Sequence, residues 1–229
     1  MAFSVKHKMT GRTRNMCTYA IVPVKESSAA KARLVRVLSK RERASLTLAM
    51  LSDVLDALRA TKGIRRILVV TRDINAARLG TRRGALVLSE GRGRGLNSAV
   101  RRGILFAERE GADQVLIVPA DLPLAKSSNF RRILRMGRKA KVVIVPSYDL
   151  GGTNALLLRP PHIMPISYGK DSFKRHSRLA RKRNLRIRIL KFQSLGLDAD
   201  TSHDLVRIQS ASGNTRSQRF LRTRSRSAH

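Results

Sequence analysis

Three aspartates have the type and setting to hold a divalent cation. Asp121 lies in VPADLPL (118–124), and Asp198 and Asp200 lie two apart in LDADTSHDL (197–205). A carboxylate at the end of an apolar run, just before a proline turn, suits Mg²⁺. That ion keeps waters and substrate phosphates, so one or two protein carboxylates suffice. In an extended segment Asp198 and Asp200 point to one face and could share an ion with Asp121. The same residues have plainer uses. Asp121 can close its own turn, and Asp200 or Thr201 can cap a following helix.

Cations form the second group. IVPVKESSAAKARL (21–34) carries Lys25, Lys31 and Arg33 directly after an apolar run. Such a loop can neutralise a triphosphate, and it can equally be a solvated basic loop. It has no Gly-x-x-x-x-Gly-Lys pattern, so it is not a P-loop. In YGKDSFKRH (168–176), Gly169 and Ser172 stand at a helix start, where free N–H groups suit a phosphate or carboxylate. Asp171 or Ser172 reads equally as an ordinary cap there. His176 either meets an anion or is a helix histidine with no such role. The glycines of GRGRGLNSAV (91–100) lack the G-x-G-x-x-G spacing. With no cofactor-binding acid evident downstream, a dinucleotide site is excluded. A loop beside a nucleotide base, a helix start or a surface loop remains.

These segments need a scaffold that brings loops together. Compact apolar runs at Tyr19–Val24, Arg66–Thr71, Ala85–Leu88, Gln114–Val118, Lys141–Val145 and Ala155–Leu158 read as strands. The alternation at Leu185, Ile187 and Ile189 reads as a half-exposed strand, with Leu195–Asp198 expected to pair next. Helical periodicity follows the Ser39/Glu42 capping box up to Gly63. It recurs at Asn97–Glu110, Ser128–Met136 and Ser172–Arg183, and Thr201 is expected to cap a last short helix. The reading is an α/β fold: one Rossmann-like domain with a mainly parallel mixed sheet flanked by helices. Ligands in such sheets bind beyond the carboxyl ends of the strands, so the loops after Val24, Val118 and Val145 should line the site.

The formal net charge of +33 over 229 residues is extreme. Lys6, Lys8, Arg12 and Arg14 with no acid mark a basic extension at 1–17, and Arg216, Arg219, Arg222, Arg224 and Arg226 mark a basic tail at 209–229. Both are expected to be disordered, leaving 18–208 as the domain. Nucleic-acid binding competes as a function, because Lys and Arg contacts to phosphates give salt-dependent affinity. Against it, the chain has three Tyr, six Phe and no Trp, too few for a stacking platform. The single Cys17 cannot form an internal disulfide, and no leader-like or membrane-length apolar run occurs, so a cytoplasmic, non-membrane protein is expected.

VPVK…AKARL, LSKRERASLTLAMLSDVL, ADLPL, GGTNALLL, YGKDSFKRH and LDADT…DL, in this order, resemble the 2-phospho-L-lactate guanylyltransferase family of coenzyme F-420 biosynthesis. The resemblance spans about residues 19–208. It implies a nucleotidyltransferase fold, GTP, Mg²⁺, a small phosphorylated carboxylic acid as acceptor, and a homodimer. It implies that Lys25, Lys31 and Arg33 hold GTP phosphates and act catalytically, and that Leu96, Asn97 and Ser98 lie near the nucleotide. It assigns metal to Asp121 and Asp198, and the acceptor's anionic groups to Thr153, Asn154, Gly169 and Ser172. Glu26-Ser27-Ser28 replaces a more apolar stretch, Lys170 stands where the family usually has proline, and the two basic ends are extra. 2-Phospho-L-lactate is the expected acceptor, with phosphoenolpyruvate as the alternative. The basic ends are expected to bind nucleic acid only incidentally.

Overall fold

The computed structural model describes residues 16–227 apart from 26–31, 92 and 94. Lys31, residues 1–15 of the basic extension and the Glu26-Ser27-Ser28 departure lie outside the described residues. Among those described, β1 (Thr18–Val24), β2 (Ile64–Thr71), β3 (Leu86–Ser89), β4 (Gln114–Ile117), β5 (Val142–Pro146), β6 (Thr153–Leu158) and β7 (Ile187–Ile189) form one sheet in the order β3-β2-β1-β4-β6-β5-β7. The β1/β2, β1/β4, β2/β3 and β5/β7 pairs are parallel. Only β6 runs against its neighbours, β4 and β5.

The central strand explains the two-layered cover. All of β1 is buried, and successive residues feed opposite faces. Ala20, Val22 and Val24 pack with Leu51, Val54, Leu55 and Leu58 of α1 (Lys40–Arg59) and with Phe130 and Ile133 of α4 (Ser127–Gly137). Tyr19 and Ile21 pack on the other side with Val100 and Ile104 of α3 (Leu96–Arg109) and Ala180 of α5 (Ser172–Lys182). The Ser39/Glu42 capping box opens α1 as expected, with Glu42 N–H on Ser39 Oγ at 3.2 Å and Ser39 N–H on Glu42 Oε2 at 2.8 Å.

Three elements depart from the sequence reading. Helix α2 (Ile74–Arg82) stands where no element is expected; it buries only Ala76 and Gly80, too little to leave a hydrophobic stripe. Its N-cap is Asp73, whose Oδ1 accepts the Asn75 and Ala76 N–H groups at 2.9 Å each. Leu195–Asp198 does not pair in the sheet. Gln193–Gly196 forms a short helix, α6, and Leu197–Asp200 continues as a loop to α7 (Ser202–Ser210). Thr201 caps α7 with Asp204 as expected, but α7 is not the last helix.

The basic tail is the largest departure. Arg216–Ser227 forms α8 against α1, in place of the expected disorder. The physical reason is a small apolar patch inside a polar sequence. Leu221, 4 % exposed, joins Leu34, Leu46, Met50, Leu205 and Ile208 in a third core cluster.

Candidate active site

The strand order 3-2-1-4 places a topological switch point between β1 and β4, where one chain direction winds left and the other right. Lys25 follows β1 and is exposed; Asp121 follows β4 and is half-buried. The carboxyl end of β5 faces the same way, because β5 and β4 both run against β6. A cleft of about 790 Å³ opens on this side, between the turn joining β5 to β6, the loop before α5 and the 196–204 segment.

The β5–β6 turn forms its own wall. Ser147 Oγ donates to Asp149 Oδ1 at 2.5 Å and accepts the Gly152 N–H at 2.6 Å, while the Gly151 N–H donates to Asp149 Oδ1 at 3.0 Å. The Ser147 hydroxyl first, and then the Gly151 N–H, hold the Asp149 carboxyl below the usual carboxylate range. Tyr148 N–H bonds Gly196 O at 2.8 Å, and the Arg207 guanidinium lies 4.4 Å from the Tyr148 ring centroid. These contacts tie the turn to α6 and α7.

The loop before α5 is clamped through the backbone of Tyr168. Asn97 Oδ1 accepts the Tyr168 N–H at 2.7 Å and Asn97 Nδ2 donates to Tyr168 O at 3.1 Å. Arg175 Nη2 donates to the same carbonyl at 3.2 Å. His176, fully buried, accepts the Ser167 N–H on Nε2 at 3.0 Å. A backbone N–H only donates, so the imidazole proton sits on Nδ1 and is given to Thr153 Oγ1, 3.0 Å away. Burial, and then the Arg175 charge, push the His176 pKa down to about 4, so the ring is neutral at pH 7. Gly169 adopts φ +117°, and Asp171 φ +56° starts α5 without a side-chain cap.

The expected site residues divide into a lining and a support. Arg33, Gly169, Asp198 and Asp200 line the cleft, joined by Lys170 and Arg207. The Ala199 N–H reaches Asp121 O at 3.4 Å, bringing the β4 loop alongside the Asp198–Asp200 segment. Asp198 and Asp200 thus come to the cleft from a loop rather than the expected strand, with the backbone of Asp121 beside that loop. Thr153 and Asn154 are each 4 % exposed and Ser172 is 2 % exposed, so they lie beneath the wall. Asn154 Nδ2 donates to Leu195 O at 2.8 Å. Leu96, Asn97 and Ser98 open α3 and are half-buried, with Asn97 spent on Tyr168. Among the described residues no three His, Cys, Asp or Glu side chains form a cage. The hard carboxylate oxygens of Asp121, Asp198 and Asp200 suit Mg²⁺, which needs few protein ligands.

A family model described as "Guanylyl transferase CofC like" matches residues 18–227. The chain belongs to the CofC-like guanylyl transferase family. The match includes α8, so this family's domain extends past the expected boundary at 208. The chain is 42 % identical over 202 residues to the phosphoenolpyruvate guanylyltransferase of Rubrobacter xylanophilus, covering 86 % of this chain and 96 % of that one. It is 36 % identical over 207 residues to the 2-phospho-L-lactate guanylyltransferase of Methanothermobacter thermautotrophicus, covering 90 % and 91 %. A solved nucleotide-diphospho-sugar transferase from Desulfovibrio desulfuricans superposes with a TM-score of 0.76 at 19 % identity, over 91 % of this chain and 95 % of that one. That likeness shows the fold alone.

Within this CofC-like chain, the sequence reading missed Ser147, Asp149 and Arg207 at the cleft, and Arg72 just after the end of β2. Ser-x-Asp ahead of two glycines is a legible turn signal for the first two. Arg72 Nη2 bonds both Gly91 O and Gly93 O, the latter at 3.1 Å, and so holds the glycine loop before α3. In a chain with 48 Lys and Arg residues, neither Arg207 nor Arg72 stands out by type.

Proposed function

We propose that this chain transfers GMP from GTP to a three-carbon acid phosphorylated at C2, releasing pyrophosphate. The observation that carries the reading is one cleft at the carboxyl ends of the strands, lined by Arg33 and Lys170 together with Asp198 and Asp200. Cations and metal-type carboxylates in one cleft suit a reaction that joins two polyanions.

An oxygen of the acceptor's phosphate attacks the α-phosphorus of GTP in line, forming the new P–O–P link while the bond to the β-phosphate bridging oxygen breaks. A phosphate monoester has a second pKa near 6 and is mostly dianionic at pH 7, so no general base is required. Neutral His176 then fits a positioning part: with Asn97 and Arg175 it holds the 167–171 loop against which the acceptor rests. Lys25, Lys31 and Arg33 offset the charge of the triphosphate, and Leu96 and Ser98 flank the nucleotide. Gly169 approaches the acceptor's anionic groups, while Thr153, Asn154 and Ser172 support that wall from beneath. Mg²⁺, held by Asp121 and Asp198 with Asp200 as the alternative ligand, would supply further neutralisation of phosphate charge. We extend the reading to a cytoplasmic homodimer working in coenzyme F-420 biosynthesis.

2-Phospho-L-lactate and phosphoenolpyruvate both satisfy this acceptor class. The higher identity to the relative named for phosphoenolpyruvate, 42 % against 36 %, favours that second reading. The test is pyrophosphate release from GTP with each acid, with 3-phosphoglycerate and with a sugar phosphate, in the presence and absence of Mg²⁺. Turnover with a C2-phosphorylated acid and Mg²⁺ is expected, with GTP preferred over ATP. Turnover with the sugar phosphate alone overturns the acceptor class.

A further inference from the structure

A second cleft, of about 750 Å³, opens at the opposite end of the sheet, where Thr18, Ile64 and Gln114 begin β1, β2 and β4. The seven residues of β1 separate it from the catalytic side by about 20 Å, at about 3.3 Å per residue. The two clefts differ in charge. Asp149, Asp171, Asp198, Asp200 and Asp204 all line the first. Among the described residues, the second is lined by Lys62, Arg65, Arg131, Arg135 and Arg138 and by no carboxylate.

All five of these cations are exposed, and among the described residues none has an ion-pair partner. Arg131 Nη1 donates to Ser127 Oγ at 3.0 Å, and Arg65 Nη1 lies 4.0 Å from Cys17 Sγ; neither contact neutralises a charge. Self-repulsion at such a spot costs stability unless an anion sits there. The arrangement also indicates the anion's shape. Arg131 and Arg135 on α4 and Arg138 at its C-cap recur at i, i+4 and i+7, a row about 10 Å long at 1.5 Å per residue. Lys62 and Arg65, in and after the turn between α1 and β2, form the facing side. Charges strung along a trough match a repeating chain of phosphates better than one small anion, whose donors would converge. Met16, Ile64 and Leu134 also line the trough, and among the described lining residues there is no aromatic ring on which a base could stack.

We propose that this trough binds the phosphodiester backbone of a nucleic-acid strand, without reading its sequence. The site is separate from the transfer chemistry and places part of the chain's positive charge in a built groove rather than in the basic ends alone.

Anisotropy of short labelled RNA and DNA strands of one sequence, titrated with the full chain across a salt series, tests this. Arg131→Gln, Arg135→Gln and Arg138→Gln together should weaken binding of the favoured strand at least about tenfold. They should also lower the slope of log K against log salt by about 2, at roughly 0.7 per phosphate contact. Pyrophosphate release from GTP should be unchanged, which also reports an intact fold. The control replaces Arg181, Lys182 and Arg183, exposed at the end of α5, by Gln and should alter binding only slightly. Equal losses in both triple variants, no binding of either strand, or full displacement by stoichiometric inorganic pyrophosphate would each overturn the proposal.

Discussion

Ser217 donates both its N–H and its hydroxyl to Asp53 Oδ2, at 2.9 and 2.6 Å, across 164 residues of chain. The other oxygen, Asp53 Oδ1, accepts the Arg216 N–H at 2.9 Å. A buried carboxylate on α1 thus meets the first donors of α8, where the helix dipole also favours negative charge. Arg216 reaches Asp56 at 2.5 Å and Arg224 reaches Glu42 at 2.8 Å, so the same helix is fastened at both ends of its contact with α1.

The tail should therefore behave as part of the domain. Asp53→Ala removes one carboxylate from three donors and is expected to cost about 3 kcal/mol or more. Deleting residues 212–229 also uncovers Leu221's partners, worth about 2 kcal/mol for that side chain alone. Urea unfolding of both variants reads this directly. An unchanged midpoint in the deletion would mean that α8 rests on α1 without contributing to stability.

Gly169→Ala tests the loop before α5. An added Cβ would lie 3.1 Å from Arg175 Nη2, and φ +117° disfavours any L side chain. Because Arg175 holds the Tyr168 carbonyl, the strain falls on the proposed acceptor wall. We expect the acceptor KM to rise about tenfold with the GTP KM little changed. Equal effects on both substrates would place Gly169 outside the acceptor side.

His176 makes stability depend on pH. Its pKa falls from 6.5 to about 4 on folding, so between these values the unfolded chain binds a proton that the native one refuses. Its contribution is fully present above pH 6.5 and is lost progressively as pH falls toward 4. The loss by pH 5 is about 2 kcal/mol. Denaturant unfolding near pH 7.5 and near pH 5 should show a larger drop for the wild type than for His176→Gln. Matching drops would mean that other groups carry the acid sensitivity.

Asp121→Asn and Asp198→Asn keep side-chain size and remove charge. Each is expected to lower pyrophosphate release at least about a hundredfold, the typical effect of one electrostatic group. A near-normal rate for Asp121→Asn at saturating Mg²⁺ would leave that residue as a turn former only.

Much of the fold was legible because local signals agreed with it. The β1, β4, β5 and β6 runs and residues 67–71 of β2 are apolar enough to be buried on both faces, and the Ser39/Glu42 and Thr201/Asp204 pairs announce helix starts by spacing alone. Helix α2 left little trace, since it buries only an alanine and a glycine. The tail read as disordered because its composition is polar and basic. A composition cannot reveal that Asp53 and Asp56 wait on α1 to receive it.

The order of strands and the types of residue in their loops were enough to nominate Arg33, Asp121, Asp198 and Gly169 for one site, because a parallel sheet brings the carboxyl ends of its strands to one side. Which residues face the cleft and which hold its wall was decided only by tertiary structure. Asn97, Thr153, Asn154 and Ser172 are polar, yet their surroundings bury them or tie them to backbone groups of distant segments. A polar side chain's type is set by sequence, but its hydrogen-bond partner is set by what the fold carries to within about 3 Å of it. The same holds for charge. The sequence states a total of +33, and only packing separates a cleft that collects aspartates from one whose charged residues, among those described, are all cations.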